Sequence, residues 1–189
     1  MQFKLIAGLG NPGKEYTNTY HNVGMLCVDH ILGEVSWEKH AHGVWFKKDN
    51  LIYVKPTTYM NESGQAIQEC ANFYKIAPEQ IAIIHDDADV PLGTYRIKQG
   101  GRSAGHHGID SIIQHLASNN FWRAKIGIRG DTLPGAERKK ALNFVLQSIT
   151  SNDKVVLYNV FDAVAKSLTN VMEKEMTPSA PVRIFDIGS

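Results

Sequence analysis

Along the chain, apolar positions recur in two alternating patterns, short continuous runs and a spacing near 3.6, and each change of pattern marks a new element. KLIAGL, residues 4–9, is short, apolar and closed by glycine, which predicts a buried strand. NVGMLCVDHIL, 22–32, has its apolar residues at helical spacing and predicts the first helix. VWFKKDNLIYVK, 44–55, reads as two strands around Lys48-Asp49-Asn50, a hairpin without the favoured Asn-Gly turn. NESGQAIQECANFYKI, 61–76, predicts a helix capped by Asn61 or Ser63. QIAIIHDDAD, 80–89, reads as a second buried strand running into an acidic loop, with VPLG as the following turn. TYRIKQ alternates like an antiparallel or edge strand, GIDSIIQHLA is helical, and WRAKIGI is a further strand. In 153–174, apolar Val156, Val160, Phe161, Val164, Leu168 and Val171 predict a long amphipathic helix.

Strands and helices thus alternate, with a hairpin and an antiparallel strand inserted. This predicts one α/β domain over 1–189, a three-layer α/β/α sandwich with a mixed, mostly parallel sheet. The Pro- and Ser-bearing end, from about 177 to 189, reads as a partly loose tail. At 43% apolar content the chain supports a sizeable core, yet no apolar run approaches the ~20 residues of a membrane span. The start lacks the succession of regions that makes a signal peptide. Cys27 and Cys70 belong to no CxxC and read as buried free thiols of a reducing compartment, which points to the cytoplasm.

Charge changes the picture only locally. The net charge is +1, but residues 96–140 hold nine Lys or Arg against Asp110, Asp131 and Glu137. That stretch could present a field to a polyanion or be a solvated face paired elsewhere.

The first strand runs into GLGNPG, Gly8 to Gly13, which fits the letters of a dinucleotide-binding turn. The context does not fit. Pro12 sits inside the fingerprint, no helix begins within the turn, and Asp29, at the right spacing, falls within a helix instead of at a strand end. The glycines serve a sharp turn and close approach to a ligand, and Asn11 adds an amide. Ten residues on, His21 lies just before a helix, where an imidazole can act as a proton acceptor. Three further strand-end segments bring polar groups: KPTTYMNESG with Asn61, HDDAD with Asp86, Asp87 and Asp89, and GGRSAGHHG with His106 and His107. The chain carries no GK[ST] motif, which leaves an NTP site without support.

GLGNPGKEYTNTYHNVG, KPTTYMNESG, HDDADVPLG and GGRSAGHHGI, in this order and spacing, resemble the bacterial-type peptidyl-tRNA hydrolases from about Lys4 through the long C-terminal helix. The resemblance implies a cytoplasmic, monomeric esterase with no metal and no cofactor. Its substrate would be peptidyl-tRNA lost from the ribosome, cut at the ester to the 3′-terminal ribose. His21 matches the family's catalytic histidine, Asp86 its carboxylate partner, and Asn11 and Asn61 its two active-site asparagines. Tyr16, Met60 and His106 match residues lining the peptide or 3′-end site. Lys98 and Lys125 match basic tRNA-binding positions, with Lys125 in place of the usual arginine, and Arg102 joins them in the basic stretch.

Two positions depart from the family pattern. Tyr20 stands where an arginine is usual, and His107 stands where an asparagine is usual beside the substrate. Ester hydrolysis on this set would use His21 as general base toward water, Asp86 to fix its tautomer, and the asparagine amides to orient water and meet the oxyanion. Two alternatives remain at the level of the letters: a metal-dependent hydrolase using HDDAD, and a non-catalytic RNA-binding protein of the same fold.

Overall fold

A computed structural model describes residues 3–130, 144–173 and 182–183. Arg138, Lys139 and Lys140 of the basic stretch, and most of the expected tail, lie outside these residues. Eight strands form one sheet: β1 (Leu5–Gly8), β2 (Glu38–Lys39), β3 (Gly43–Lys48), β4 (Leu51–Pro56), β5 (Ile81–Pro91), β6 (Thr94–Gln99), β7 (Trp122–Arg129) and β8 (Val182–Arg183). Their spatial order is β2-β3-β4-β1-β5-β7-β6-β8. The central ladder β4-β1-β5-β7 is parallel, while β3 and β6 pair antiparallel with both of their neighbours. The sheet is therefore mixed, and β3 and β6 alone run against the common direction.

Strand alternation sorts the core onto the two faces. On one face Ile6, Tyr53, Ala82 and Ile84 pack under α1 (Val23–Leu32) and the long α4 (Ser151–Glu173). On the other, Leu5, Ala7, Ile52, Val54, Ile81 and Ile83 pack under α2 (Ser63–Tyr74) and α3 (His107–Leu116). Because successive side chains of a strand point to opposite faces, a fully apolar strand can serve both cores at once. The apolar stripe of α4 passes through Leu157, Val160, Phe161, Val164, Leu168 and Val171, and Val156 lies only partly buried at its side. Cys27 and Cys70 are buried free thiols, and burial pushes both up, Cys70 to about 12. Among the described residues no helix is long and apolar enough to cross a membrane.

One contact sets the geometry of the strand ends. A Cβ on Gly24 would lie 2.2 Å from the carbonyl oxygen of Ile84 and 2.6 Å from the nitrogen of Leu9. The first turn of α1 thus rests directly on the end of β1 and the middle of β5, where no side chain fits. The backbone bonds Leu9 N–H to Ile84 O and Met25 N–H to Leu9 O close the same junction. This brings the residues just before α1 up against the middle of β5.

Two expectations need correction. HDDAD is strand, not loop: β5 continues to Pro91 because Asp86 and Asp87 stay in register with Ile126 and Gly127 of β7, with an irregularity before Pro91. The turn is left to Leu92 and Gly93. Neither Asn61 nor Ser63 caps α2; a 3-10 turn over Met60–Glu62 leads into the helix, and Ser63 is already its buried first residue. Within the expected tail, Val182 and Arg183 pair with Tyr95 and Thr94 to form β8.

Candidate active site

The first loop is held by reciprocal bonds. Asn22 accepts from the Asn11 N–H at 2.8 Å and donates its own amide to the Asn11 carbonyl at 2.9 Å. The Asn11 side chain then accepts through Oδ1 from the Met60 N–H at 2.8 Å. With Oδ1 engaged, Nδ2 is the end of the Asn11 amide left to donate; no described residue accepts from it. Between Asn22 and Tyr20 sits His21, on a single 3-10 turn at the threshold of α1.

His21 reaches across to β5. Its Nδ1 lies 2.9 Å from Asp86 Oδ1, although 65 positions separate the two residues. A second imidazole meets the same oxygen: His106 Nε2 is 3.0 Å from Asp86 Oδ1. His106 is also the N-cap of α3, where its Nδ1 accepts from the Ile109 N–H at 3.3 Å. That cap fixes the tautomer: with Nδ1 accepting, the proton sits on Nε2 and is donated to Asp86. A carboxylate accepting from His21 as well requires the His21 proton on Nδ1, which leaves a lone pair on Nε2. Burial by itself would push the Asp86 carboxyl up, but the charges and hydrogen bonds of His106 and His21 hold it well below the usual carboxylate range.

These groups face a cleft of about 220 Å³ between the end of β5 and the glycine-rich loop before α3. Its walls include His21, Asp86, Asp89, His106, His107 and Val145. His85 lies in the wall with its Nδ1 2.7 Å from the Asp86 carbonyl oxygen. Burial, and then the nearby His106, push His85 well below the ordinary imidazole range, so it is neutral at pH 7.

The remaining expected site residues fall in different places. His106 and His107 line the cleft, but Tyr16, Met60, Asn11 and Asn61 are not in its walls. Met60 is buried beneath the first loop, and a Cβ on Gly108 would come within 2.5 Å of its sulfur. Asn61 is exposed on the next turn residue, and Tyr16 is half-buried in the loop before His21. Lys98 and Arg102 are exposed. Lys125 is not a free cation: its Nζ is 2.7 Å from Asp87 Oδ2, with both side chains mostly buried.

Sequence reasoning did not find Asn22 as the clamp on the first loop, the bond from His106 to Asp86, or Arg123. Arg123 is 1% exposed on β7, and its guanidinium donates to the carbonyls of Gly101 and Arg102, pinning the base of the glycine-rich loop. The available signal was a pair of charged residues, Arg123 and Lys125, in the strand W-R-A-K-I, inviting the question of what each bonds.

A metal-binding set can be tested on the donors themselves. His21, Asp86 and His106 bring three possible ligand atoms within 4.8 Å of one another. An ion there would need a bare lone pair on His106 Nε2, moving that proton to Nδ1, where it would oppose the Ile109 N–H. The arrangement suits shared protons better than a cation. The HDDAD carboxylates do not converge either, since Asp86 faces two imidazoles, Asp87 faces Lys125, and Asp89 is exposed.

Comparison with known proteins finds relatives over most of the chain. A crystal structure of peptidyl-tRNA hydrolase from Acinetobacter baumannii superposes with a TM-score of 0.79 at 34% identity, covering 90% of this chain and 89% of that one. The protein named peptidyl-tRNA hydrolase from Lactobacillus gasseri is 41% identical over 174 residues, 88% of this chain and 91% of its own. Its namesake from Coxiella burnetii is likewise 41% identical over 174 residues, 90% of this chain and 89% of its own. The family model described as peptidyl-tRNA hydrolase matches residues 5–183. With the fold, the relatives and the family model in agreement, the chain belongs to the peptidyl-tRNA hydrolase family.

Proposed function

We propose that this chain hydrolyses the ester bond between a peptide and the 3′-terminal ribose of tRNA in peptidyl-tRNA, with His21 as general base and Asp86 as its partner. The observation that carries the reading is the 2.9 Å bond from His21 to a buried carboxylate at the wall of an open cleft. With Nδ1–H donated to Asp86, Nε2 takes a proton from water as the water oxygen adds to the ester carbonyl carbon. Asp86 stabilises the imidazolium that results, a role that does not require it to take the proton. The carbonyl electron pair moves onto oxygen, and the Asn11 Nδ2–H, pre-set by the Met60 bond to Oδ1, is a donor available to it. Asn61, exposed on the neighbouring turn, offers a second amide. Collapse re-forms the carbonyl, breaks the bond to the ribose oxygen and returns the proton from His21 to that oxygen. The products are a peptide carboxylic acid, which gives up its proton to solvent, and a tRNA with a free 3′-terminal hydroxyl.

In this reading His106 serves by holding Asp86, and His107 and the glycine-rich loop border the substrate. Tyr16 and Met60 shape the peptide end from beneath and beside the first loop. Lys98 and Arg102 contact tRNA phosphates, and Lys125 contributes less because Asp87 neutralises it. The enzyme works as a monomeric, single-domain, metal-independent protein of the cytoplasm. The test is release of tRNA from a purified N-blocked aminoacyl-tRNA, with and without chelator. Turnover that is unchanged in chelator supports the reading. RNA binding without turnover, or activity lost to chelator and restored by metal, overturns it.

A further inference from the structure

The turn that carries His21 is fastened at its other end by Tyr20, one of the two residues in which this chain departs from the family pattern. Tyr20 is 3% exposed, and its hydroxyl donates to Asp153 Oδ2 in the first turn of α4. Its ring stacks on Phe144, with centroids 4.5 Å apart and planes 22° apart. Its N–H donates to the Gln147 carbonyl at 3.3 Å. Just before it, Thr19 forms a β-bridge with Ser148, and the Asn18 carbonyl accepts from the Ile149 N–H at 2.8 Å. The cleft wall Val145 belongs to this same 144–153 segment. The His21 turn is thus held by Asn22 on the side of the first loop and by Tyr20 on the side of α4.

Only the backbone bonds would be needed to hold a surface turn in place. A buried phenol that spans 133 positions to a carboxylate adds a directional constraint immediately beside the base. The Tyr20 hydroxyl is itself kept protonated, pushed up to about 12 by burial and by the Asp153 carboxylate, so it is a donor at every pH of interest. We propose that Tyr20 is a positioning residue for the reaction: through Asp153 and Phe144 it ties the orientation of His21 to the start of α4. This rests on the reading of His21 as the base. Small displacements of a reacting group are costly in rate, with about 1 Å worth up to ~10²-fold.

The experiment compares Tyr20→Phe, Asp153→Ala, their double variant and Tyr20→Arg with the wild type, measuring kcat, KM and thermal midpoint, with His21→Ala as control. Tyr20→Phe keeps the stack and loses the bond. It should lower kcat about five- to twentyfold with KM within twofold. Asp153→Ala, which reaches the same bond from α4, should match it, and the double variant should be no worse than either single one. Tyr20→Arg restores a donor to Asp153 and should recover kcat to within about threefold of wild type, whereas the Arg change made in Asp153→Ala should recover nothing. Wild-type kcat in both Tyr20→Phe and Asp153→Ala overturns the proposal, as does a loss confined to KM or additive losses in the double variant. If His21→Ala retains turnover, it is the assignment of the base that fails. If His21→Ala is inactive while Tyr20→Phe and Asp153→Ala are normal, only the positioning role fails.

Discussion

Replacing Asp86 by Asn changes the charge at the centre of the site and very little of its shape. The amide oxygen can still accept from His21 and His106, so the hydrogen-bonded geometry survives while the counter-charge is lost. In the transition state His21 becomes an imidazolium 2.9 Å from the Asp86 oxygen. At an effective dielectric of about 20, a unit charge pair at that distance attracts by about 6 kcal/mol. The retained hydrogen bond and the water that enters the cleft offset part of this. If half is lost, about 3 kcal/mol, kcat falls roughly a hundredfold. Because substrate binding precedes formation of the imidazolium, KM should stay within about threefold. The assay is steady-state hydrolysis of an N-blocked aminoacyl-tRNA by wild type and Asp86→Asn at neutral pH. A kcat within threefold of wild type, or a loss that lies in KM, would refute the reasoning. Thermal denaturation of the same pair adds a sign to check. Burial would raise the Asp86 carboxyl, but His106 and His21 hold it below the ordinary range. Its stabilisation is therefore present above the unfolded value near ~3.9 and is lost as pH falls toward the folded one. The gap in stability between the two proteins should be steady from neutrality to about pH 5 and close below about pH 4.

Other consequences follow from single contacts. Gly24→Ala puts a methyl 2.2 Å from the Ile84 carbonyl oxygen, so α1 must lift off β1 and β5; a loss of about 3 kcal/mol or more in denaturant unfolding is expected, with activity falling in the surviving fold. His106→Ala removes both the cap of α3 and the bond to Asp86, whereas His106→Asn can keep the cap. Both should lower kcat, but only the alanine variant should lose about 1 kcal/mol of stability through the cap. Lys98→Ala and Arg102→Ala should weaken tRNA binding and flatten its salt dependence by about one unit of slope each, measured by filter binding or fluorescence across salt. Lys125→Ala should instead cost about 2 kcal/mol of stability, because it leaves Asp87 mostly buried without its partner, and should move the salt slope less.

The layers of this fold are legible in the letters because burial on two faces leaves a simple record. Leu5, Ile6 and Ala7 are all apolar because both sides of β1 are covered, and α4 declares its face through Leu157, Val160, Val164 and Leu168. Asp86 and Asp87 misled in the opposite way. Polar residues at the end of an apolar run suggest a loop, yet here two imidazoles and Lys125 satisfy the charges and let the ladder to β7 continue. The meeting of His21 and Asp86 could not be read from spacing; it was expected through the resemblance, and packing of α1 on β1 and β5 is what brings it about. The tautomer of His106, the clamp by Asn22 and the grip of Arg123 on Gly101 and Arg102 were not legible, since each depends on the direction of a side chain across elements far apart in sequence. Tyr20 was visible as a departure, but nothing local connects it to Asp153.

The most direct test of the account is a single-turnover measurement at saturating enzyme, comparing wild type with His21→Ala and His21→Asn on N-blocked aminoacyl-tRNA. Loss of a general base that supplies ~10²–10⁴ in rate should slow the cleavage step by at least about a hundredfold in both variants, with tRNA affinity unchanged. Cleavage within tenfold of the wild-type rate in a folded His21 variant would contradict the account.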